Sequence, residues 1–227
     1  MRDLLLQPRQ RRHFILRAST GLVLGICAPL AWAQAPAAKS TGTPVILVLG
    51  DSLSAEYGLA RGTGWVALLE KKLAQEKLAA TVVNASVSGD TTAGGRSRLP
   101  ALLAQHRPTH VVIELGGNDA LRGLPLKNTE DNLAWMTEAA QKAGAKVLLV
   151  GMQVPPNYGT DYATRFAGLF TSVAQARKAA VVPFLLKGVA DGPDPTRMFQ
   201  ADRIHPRAEA HPQMLANVWP ELKKLLR

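Results

Sequence analysis

The chain alternates short apolar runs with longer segments in which apolar residues recur every three or four positions. Five runs are almost free of polar residues, which is typical of strands buried on both faces of a sheet. They lie at Val45–Leu49, Thr81–Ala85, His110–Leu115, Lys146–Met152 and Val181–Leu185. Because helix-like segments separate these runs, the pattern predicts strands that pair in parallel, with helices on both faces of the sheet.

The segments between the runs have apolar positions at helical spacing. They include Trp65–Leu73, Leu99–Ala104 (helical despite Pro100), Leu133–Ala140, Tyr162–Val173 and Met214–Leu225. Five strands alternating with helices predict a flavodoxin-like, three-layer α/β/α sandwich around a five-stranded parallel sheet. Right-handed crossovers would bring the carboxyl end of every strand to one edge of that sheet, where open α/β sheets bind their ligands.

The first 33 residues differ from the rest and have the pattern of an export signal. A basic segment that ends at Arg17 precedes an apolar stretch over residues 18–30, and Ala31–Ala33 has the small-x-small pattern of a cleavage site. The sequence RRHFIL, at residues 11–16, is similar to a twin-arginine signal. The apolar stretch is shorter than the roughly 20 residues of a spanning helix, which favours a cleaved signal over a retained anchor.

Removal of the signal would leave a flexible leader, residues 34–43, and one domain, residues 44–227. The net charge of the whole chain is +10, but the basic residues are scattered over helix-like segments with few aromatic residues among them. This distribution predicts solvated helix faces and no nucleic-acid partner. The only cysteine, Cys27, lies in the signal, so the mature chain has no cysteine for a disulfide or a metal site. We expect a periplasmic or secreted monomer without a stable transmembrane anchor.

Polar residues with the chemistry of acyl transfer follow the predicted strands. Ser52 follows the first strand, Gly89 and Asn118 follow the second and third, and the loop after the fifth contains Asp202 and His205. A serine hydroxyl needs a base to remove its proton, and a histidine oriented by a carboxylate can act as that base. The backbone N–H groups of Ser52 and Gly89, with the amide of Asn118, can donate to the oxyanion of a tetrahedral intermediate.

Each of these residues also has an ordinary structural interpretation. Serine and aspartate are common turn and helix-cap residues, so Ser52 taken alone predicts no more than a turn. Glu114, at the end of an apolar strand, is expected to support the site from behind or to lie at an edge. The catalytic interpretation is favoured because these residues occur together. A serine, a histidine, a carboxylate and two turn residues all follow the ends of predicted strands.

These residues resemble the SGNH hydrolase family, also called GDSL esterases. That family has a serine in Gly-Asp-Ser, a glycine, an asparagine in Gly-x-Asn-Asp and a histidine in Asp-x-x-His, in the order of Ser52, Gly89, Asn118 and His205. The segments VIELGGNDALRG, PPNYG and DRIHP are most similar to the bacterial periplasmic multifunctional esterases of the family. The segment Lys187–Gln200 matches no pattern of the family.

The resemblance implies a serine esterase that hydrolyses aryl esters, acyl thioesters and lysophospholipids through an acyl-enzyme, with no metal and no cofactor. It implies a triad of Ser52, Asp202 and His205, and an oxyanion hole formed by Ser52, Gly89 and Asn118. Four further residues are expected, by position alone, to contact the substrate, namely Leu53, Leu121, Asn157 and Tyr158.

Two other functions are compatible with the same motifs. A carbohydrate O-deacetylase would use the same residues with a short, polar acyl pocket. A non-catalytic module that binds lipid or glycan at the cell envelope would use the scaffold alone. The intact set of catalytic residue types weighs against the second function, since a binding module has no need of it.

Overall fold

The computed structural model describes residues 42–194 and 196–227. The predicted export signal, residues 1–33 with Cys27, lies outside the described residues, as does most of the predicted leader, residues 34–43. Within the described residues, no helix combines the length and the hydropathy that crossing a bilayer requires.

In this part of the chain, five strands form one parallel sheet in the order β2-β1-β3-β4-β5. They are β1 (Val45–Gly50), β2 (Thr81–Asn84), β3 (His110–Glu114), β4 (Lys146–Val150) and β5 (Ala180–Val182). The two central strands, β1 and β3, are buried along nearly their whole length, as their uninterrupted apolar runs predict. The strand order is that of flavodoxin-like sheets, so the predicted fold class is confirmed.

Six α-helices of the described residues accompany the sheet. They are α1 (Trp65–Gln75), α2 (Thr92–His106), α3 (Gly117–Leu121), α4 (Leu126–Lys142), α5 (Thr160–Arg177) and α6 (His211–Leu225). Helices α2, α4 and α5 pack side by side, and α1 packs against α6 in a separate layer. Pro100 lies inside α2, so the segment around it is helical as predicted.

Several elements end at residues other than those predicted, and β5 shows the physical reason most clearly. The apolar run predicts a strand to Leu185, but β5 ends at Val182 because Pro183 has no N–H to give to a neighbouring strand. The N–H of Gly151 bonds the carbonyl of Val182 at 2.8 Å, and the N–H of Leu185 bonds the carbonyl of Gly151 at 2.9 Å. The chain therefore turns around Gly151 where the apolar pattern alone indicates continued pairing.

Candidate active site

The first strand leads directly into a tight turn that carries Ser52. The N–H of Ala55 donates to the carbonyl of Asp51 at 2.9 Å, and the side chain of Asp51 accepts the N–H of Leu53 at 3.0 Å. Leu53 is only 7% exposed and belongs to the hydrophobic core. The turn is thus held by its own backbone, by a folded-back carboxylate and by a buried leucine, which fix Ser52 at the carboxyl end of β1.

His205 lies between Ser52 and Asp202. Its Nε2 is 2.9 Å from the Oγ of Ser52, and its Nδ1 is 2.7 Å from Oδ2 of Asp202. The other carboxylate oxygen of Asp202 accepts the N–H of Ile204 at 2.9 Å and the N–H of His205 at 3.0 Å. When Nδ1–H donates to Asp202, Nε2 is left as an acceptor facing the serine hydroxyl, which is the geometry of a general base.

The local hydrogen bonds keep Asp202 charged. Partial burial opposes ionisation, but the hydrogen bond from the His205 ring and those from the N–H groups of Ile204 and His205 outweigh it and lower the pKa of Asp202 to about 2. At neutral pH the group is a carboxylate, so it can stabilise the imidazolium that forms when His205 accepts a proton.

Two residues that sequence patterns did not indicate hold the histidine loop in place. The ring of Tyr57 packs against the ring of His205, with centroids 4.3 Å apart and planes inclined by 38°. The side-chain Nε2 of Gln200 donates to the carbonyl of Tyr57 at 2.9 Å, and the backbone N–H of Gln200 donates to the carbonyl of His205 at 2.8 Å. Gln200 therefore ties the turn after β1 to the loop of His205. A loop glutamine carries no sequence signal for such a role.

The segment Lys187–Gln200, which matches no family pattern, ends at the base of this loop. Phe199 forms an isolated antiparallel bridge with Pro206. The N–H of Arg207 donates to the carbonyl of Met198 at 2.7 Å, and its Nε donates to the carbonyl of Phe199 at 2.6 Å. The end of the segment thus pairs with the residues after His205 and closes the loop.

Asn118 connects the ends of the first three strands. It lies on α3, a five-residue helix directly after β3, where the sequence pattern indicated only a turn. Its Nδ2 donates to Oδ2 of Asp51 at 2.9 Å and to the carbonyl of Asp90 at 2.9 Å. Asn118 therefore lies against both the Ser52 turn and the Gly89 loop. Since both amide hydrogens are engaged, donation to an oxyanion requires one of them to be shared between two acceptors.

The backbone N–H groups of Ser52 and Gly89 are the candidate backbone donors of an oxyanion hole. Across residues 42–194 and 196–227, neither donates to a protein acceptor. Gly89 has a φ of 78°, in the left-handed region that glycine adopts without steric cost. The N–H of Val87 donates to the carbonyl of Gly50 at 3.0 Å, which brings this loop against the turn after β1. Free N–H donors beside a serine hydroxyl are what a developing oxyanion requires.

Two buried carboxyl groups lie behind the Ser52 turn. Asp51 is 3% exposed, and Glu114, at the end of the central strand β3, is fully buried. Burial raises the pKa of Asp51 to about 6. Burial, together with the neighbouring Asp51, raises the pKa of Glu114 well above its usual value. The sequence showed that Glu114 is unusual in an apolar strand, but its proximity to Asp51 follows only from the pairing of β1 with β3.

The four residues expected to contact substrate lie in different settings. Leu121, at the end of α3, is 44% exposed, and Asn157 is exposed on a short 3-10 turn, Pro156–Tyr158. The ring of Tyr158 stacks on that of Tyr162 with centroids 6.3 Å apart, a contact within the protein. Leu53 is a core residue and offers little surface to a substrate. Leu121 and Asn157 are thus the members of this group with accessible side chains.

Exposed apolar side chains, here called the apolar rim, lie on the turns, loops and short helix that carry the site residues. Among the described residues, four large apolar side chains are exposed, namely Tyr57, Val87, Leu121 and Ile204. Tyr57 contacts His205, and the other three lie within three residues of Gly89, Asn118 or His205 in the sequence. This rim favours a substrate with an acyl chain or an aromatic group.

Within the described residues, no cluster of three or more His, Cys, Asp or Glu side chains is arranged to hold a metal ion.

Comparisons with known proteins point to one family. The model of the GDSL-like Lipase/Acylhydrolase family matches residues 48–212. The chain is 52% identical over 205 residues to Esterase TesA from Pseudomonas aeruginosa, which covers 90% of this chain and 98% of that protein. It is 40% identical over 174 residues to Thioesterase 1/protease 1/lysophospholipase L1 from Escherichia coli strain K12, covering 77% and 81%. A crystal structure of TesA matches the fold with a TM-score of 0.76 and 54% identity, over 80% of this chain and 99% of that one.

Proposed function

Since the chain belongs to the GDSL-like lipase/acylhydrolase family, we propose that it is a serine esterase that hydrolyses carboxylic esters and thioesters through an acyl-enzyme on Ser52. The observation that carries the proposal is the continuous hydrogen-bonded line from Ser52 through His205 to Asp202, with distances of 2.9 and 2.7 Å. Relatives named as an esterase and as a thioesterase/lysophospholipase support the same class of reaction.

In the acylation step, Nε2 of His205 takes the proton of Ser52 as Oγ attacks the carbonyl carbon of the substrate. Asp202 holds the ring and stabilises its positive charge. The N–H groups of Ser52 and Gly89 receive the negative charge that develops on the carbonyl oxygen, with Asn118 as the third donor. His205 then returns the proton to the leaving alcohol or thiol, whose departure leaves the acyl group on Ser52.

In the deacylation step, a water molecule takes the place of the serine. His205 removes a proton from this water as its oxygen attacks the acyl carbon, and the same three donors receive the oxyanion. The ester bond to Oγ breaks, Ser52 regains its proton from His205, and the carboxylic acid is released. The apolar rim suits substrates with an extended acyl chain or an aryl group, such as acyl thioesters, aryl esters and lysophospholipids.

The test is the hydrolysis of p-nitrophenyl esters from acetate to palmitate by the purified protein and two variants. We expect Ser52→Ala to lower kcat by a factor on the order of 10⁶, as loss of a triad serine does in other folds. Ser172→Ala, which changes an exposed serine on α5, is the matched control and should retain the wild-type rate.

The pattern of rates across the esters separates the alternatives. Activity confined to acetate would favour a carbohydrate O-deacetylase, whereas activity that extends to long chains supports the thioesterase and lysophospholipase class. Equal background rates for wild type and Ser52→Ala on every ester would contradict the proposal and favour a binding module.

We also propose that the protein acts in the periplasm or after secretion, as a monomer on small ester substrates. The support for this location is the pattern of residues 1–33, in which a basic segment, an apolar stretch and a small-x-small site follow one another. A protein processed in this way would begin at Gln34.

A further inference from the structure

Glu114 is a buried acid that the proposed reaction does not use. It is 0% exposed, and none of the ion pairs among the described residues includes it. Its Oε2 accepts the hydroxyl of Ser54 at 2.7 Å and the N–H of Asp51 at 3.4 Å. An ionised carboxylate is costly to bury without a cation, so an acid in this setting is expected to keep its proton.

The surrounding hydrogen bonds identify the oxygen that carries this proton. The indole N–H of Trp65 donates to Oγ of Ser54 at 3.1 Å, so the hydroxyl of Ser54 is free to donate onward to Oε2 of Glu114. Oε2 is thereby an acceptor. The buried Oε1 has no hydrogen-bond partner among the described residues. Oε1 is therefore the oxygen left to carry the proton when Glu114 is neutral.

Backbone pairing explains why Glu114 reaches the Ser52 turn. In the parallel register of β1 and β3, Glu114 lies beside Gly50. A Cβ at Gly50 would lie 2.9 Å from Oε2 of Glu114 and 2.7 Å from Oγ of Ser54. The missing side chain of Gly50 thus leaves the space in which Glu114 and Ser54 meet. Glu114 contacts the backbone on one side of Ser52 and the side chain of Ser54 on the other.

Asp51 needs its negative charge for the contacts it makes. One oxygen accepts the N–H of Leu53 and the other accepts Nδ2–H of Asn118, so both act as acceptors. In a buried site, the charge on one carboxyl group disfavours ionisation of the carboxyl group beside it. The carboxyl with hydrogen-bond donors on both oxygens is the one that loses its proton, which leaves Glu114 neutral.

We propose that Glu114 is a positioning residue: it holds the Ser52 turn through Ser54 and Asp51, and by retaining the proton of the pair it leaves Asp51 charged to orient Asn118. This inference rests on the proposed function, because its effect is measured in hydrolysis by Ser52. Within the described residues, the titratable groups that interact electrostatically with Asp51 are His205 and Asp90, and Asp51 is the one that does so with Glu114.

Two substitutions separate positioning from simple packing. Glu114→Gln keeps the shape and an acceptor for the hydroxyl of Ser54 and the N–H of Asp51, so we expect kcat within about threefold of wild type at pH 7. Glu114→Met keeps the approximate length but leaves Ser54 and the N–H of Asp51 without their acceptor. We expect its kcat to fall by roughly tenfold or more, with KM changed by less than about threefold, since the loss concerns the reacting groups.

The pH profile reports on the proton itself. Because Glu114 holds the proton of the pair, its ionisation as the pH rises would place a second charge beside Asp51 and lower kcat. Glutamine cannot ionise, so kcat of Glu114→Gln relative to wild type should not fall as the pH rises. Profiles are compared over the pH range in which circular dichroism shows both proteins folded.

Thr137→Val is the matched control, because it removes another fully buried hydrogen bond, from the hydroxyl of Thr137 to the carbonyl of Leu133 at 2.8 Å. It should not change kcat. A folded Glu114→Met with wild-type kcat, a Glu114→Gln as impaired as Glu114→Met, or a kcat of Glu114→Gln that falls relative to wild type as the pH rises would each overturn the inference. If wild type and Ser52→Ala are equally inactive, the proposed function itself has failed instead.

Discussion

At the scale of single residues, the site depends on which carboxyl groups are charged. Asp202 is partly exposed and is held ionised by hydrogen bonds from His205, whereas Asp51 is buried and has a pKa raised to about 6. Both are aspartates next to a proposed catalytic residue, and only their surroundings differ. The sequence motifs indicated Ser52, His205 and Asp202, because their spacing and chemistry are visible in the chain. The partnership of Asp51 with Glu114 was not visible, because it depends on burial and on strand pairing.

The raised pKa of Asp51 predicts a pH-dependent cost in stability. The pKa is about 6 in the folded protein against an ordinary value of 3.8, so between these pH values the folded state holds a proton that the unfolded chain has lost. Stability conferred by this group therefore decreases as the pH rises from about 4 to about 6. An asparagine at position 51 cannot ionise, so the stability of the Asp51→Asn variant does not show this decrease. Its free energy of unfolding relative to wild type should rise by about 2–3 kcal/mol between pH 4 and pH 7.

Urea unfolding at the two pH values measures this difference. Asp161→Asn is the control, because the side chain of Asp161 is 86% exposed on α5, and it should show no such change. An equal effect of Asp51→Asn at both pH values would show that Asp51 does not titrate in the folded protein as stated. The same variant should lose activity at pH 7, because the carboxylate that orients Asn118 is gone.

At the scale of elements, the apolar pattern identified the strands and the main helices but not where they end or the short helix that carries Asn118. Periodicity reports which face of a segment is buried, which is why β1 and β3 could be predicted. A strand end depends on local chemistry, such as Pro183 after β5, and on partners distant in sequence. Helix α3 has five residues, too few for a period to be visible.

Two glycine substitutions test the packing of these elements. A Cβ at Gly151 would lie 2.3 Å from the carbonyl oxygen of Pro183, a backbone atom that cannot move without disturbing the pairing of β4 with β5. Gly151→Ala should therefore lower the free energy of unfolding by about 2–3 kcal/mol. Apart from its chain neighbours and its own helix backbone, Gly168 on α5 has no atom of the described residues within 4 Å of its Cβ position. Gly168→Ala should therefore raise the free energy of unfolding by about 0.5–1 kcal/mol.

Chemical denaturation of the two variants beside wild type gives both values. The two substitutions make the same chemical change, so the opposite signs isolate the effect of the surroundings. A stabilised Gly151→Ala would mean that the turn after β4 is not packed against Pro183 as described.

At the scale of the whole molecule, strand order determines which loops form the site. Because β1 lies between β2 and β3, the Ser52 turn is flanked by the loops that carry Gly89 and Asn118. The histidine follows β5, at the far edge of the sheet, and residues 183–210 bring it back to β1. The sequence predicted that these residues share one edge, since parallel strands direct their carboxyl ends to the same side. It did not predict the contacts of Gln200 and Tyr57 that fix the returning loop.

The proposed export signal makes a prediction about the whole chain. When the full-length chain is expressed in a bacterium with an intact export system, we expect the purified protein to begin at Gln34, after Ala33. N-terminal sequencing and intact mass measure this directly. Replacing both Arg11 and Arg12 by lysine should reduce export if the signal is of the twin-arginine type. A secreted protein that retains Met1 would contradict cleavage.

Covalent labelling tests whether Ser52 is the nucleophile. A reactive alkyl fluorophosphonate is incubated with wild type, Ser52→Ala and Ser172→Ala, and the products are examined by intact mass and peptide mapping. We predict one adduct per molecule on Ser52 in wild type and in Ser172→Ala, loss of esterase activity in proportion to labelling, and no adduct in Ser52→Ala. Labelling of Ser52→Ala equal to wild type, or full activity in a fully labelled protein, would show that Ser52 is not the nucleophile.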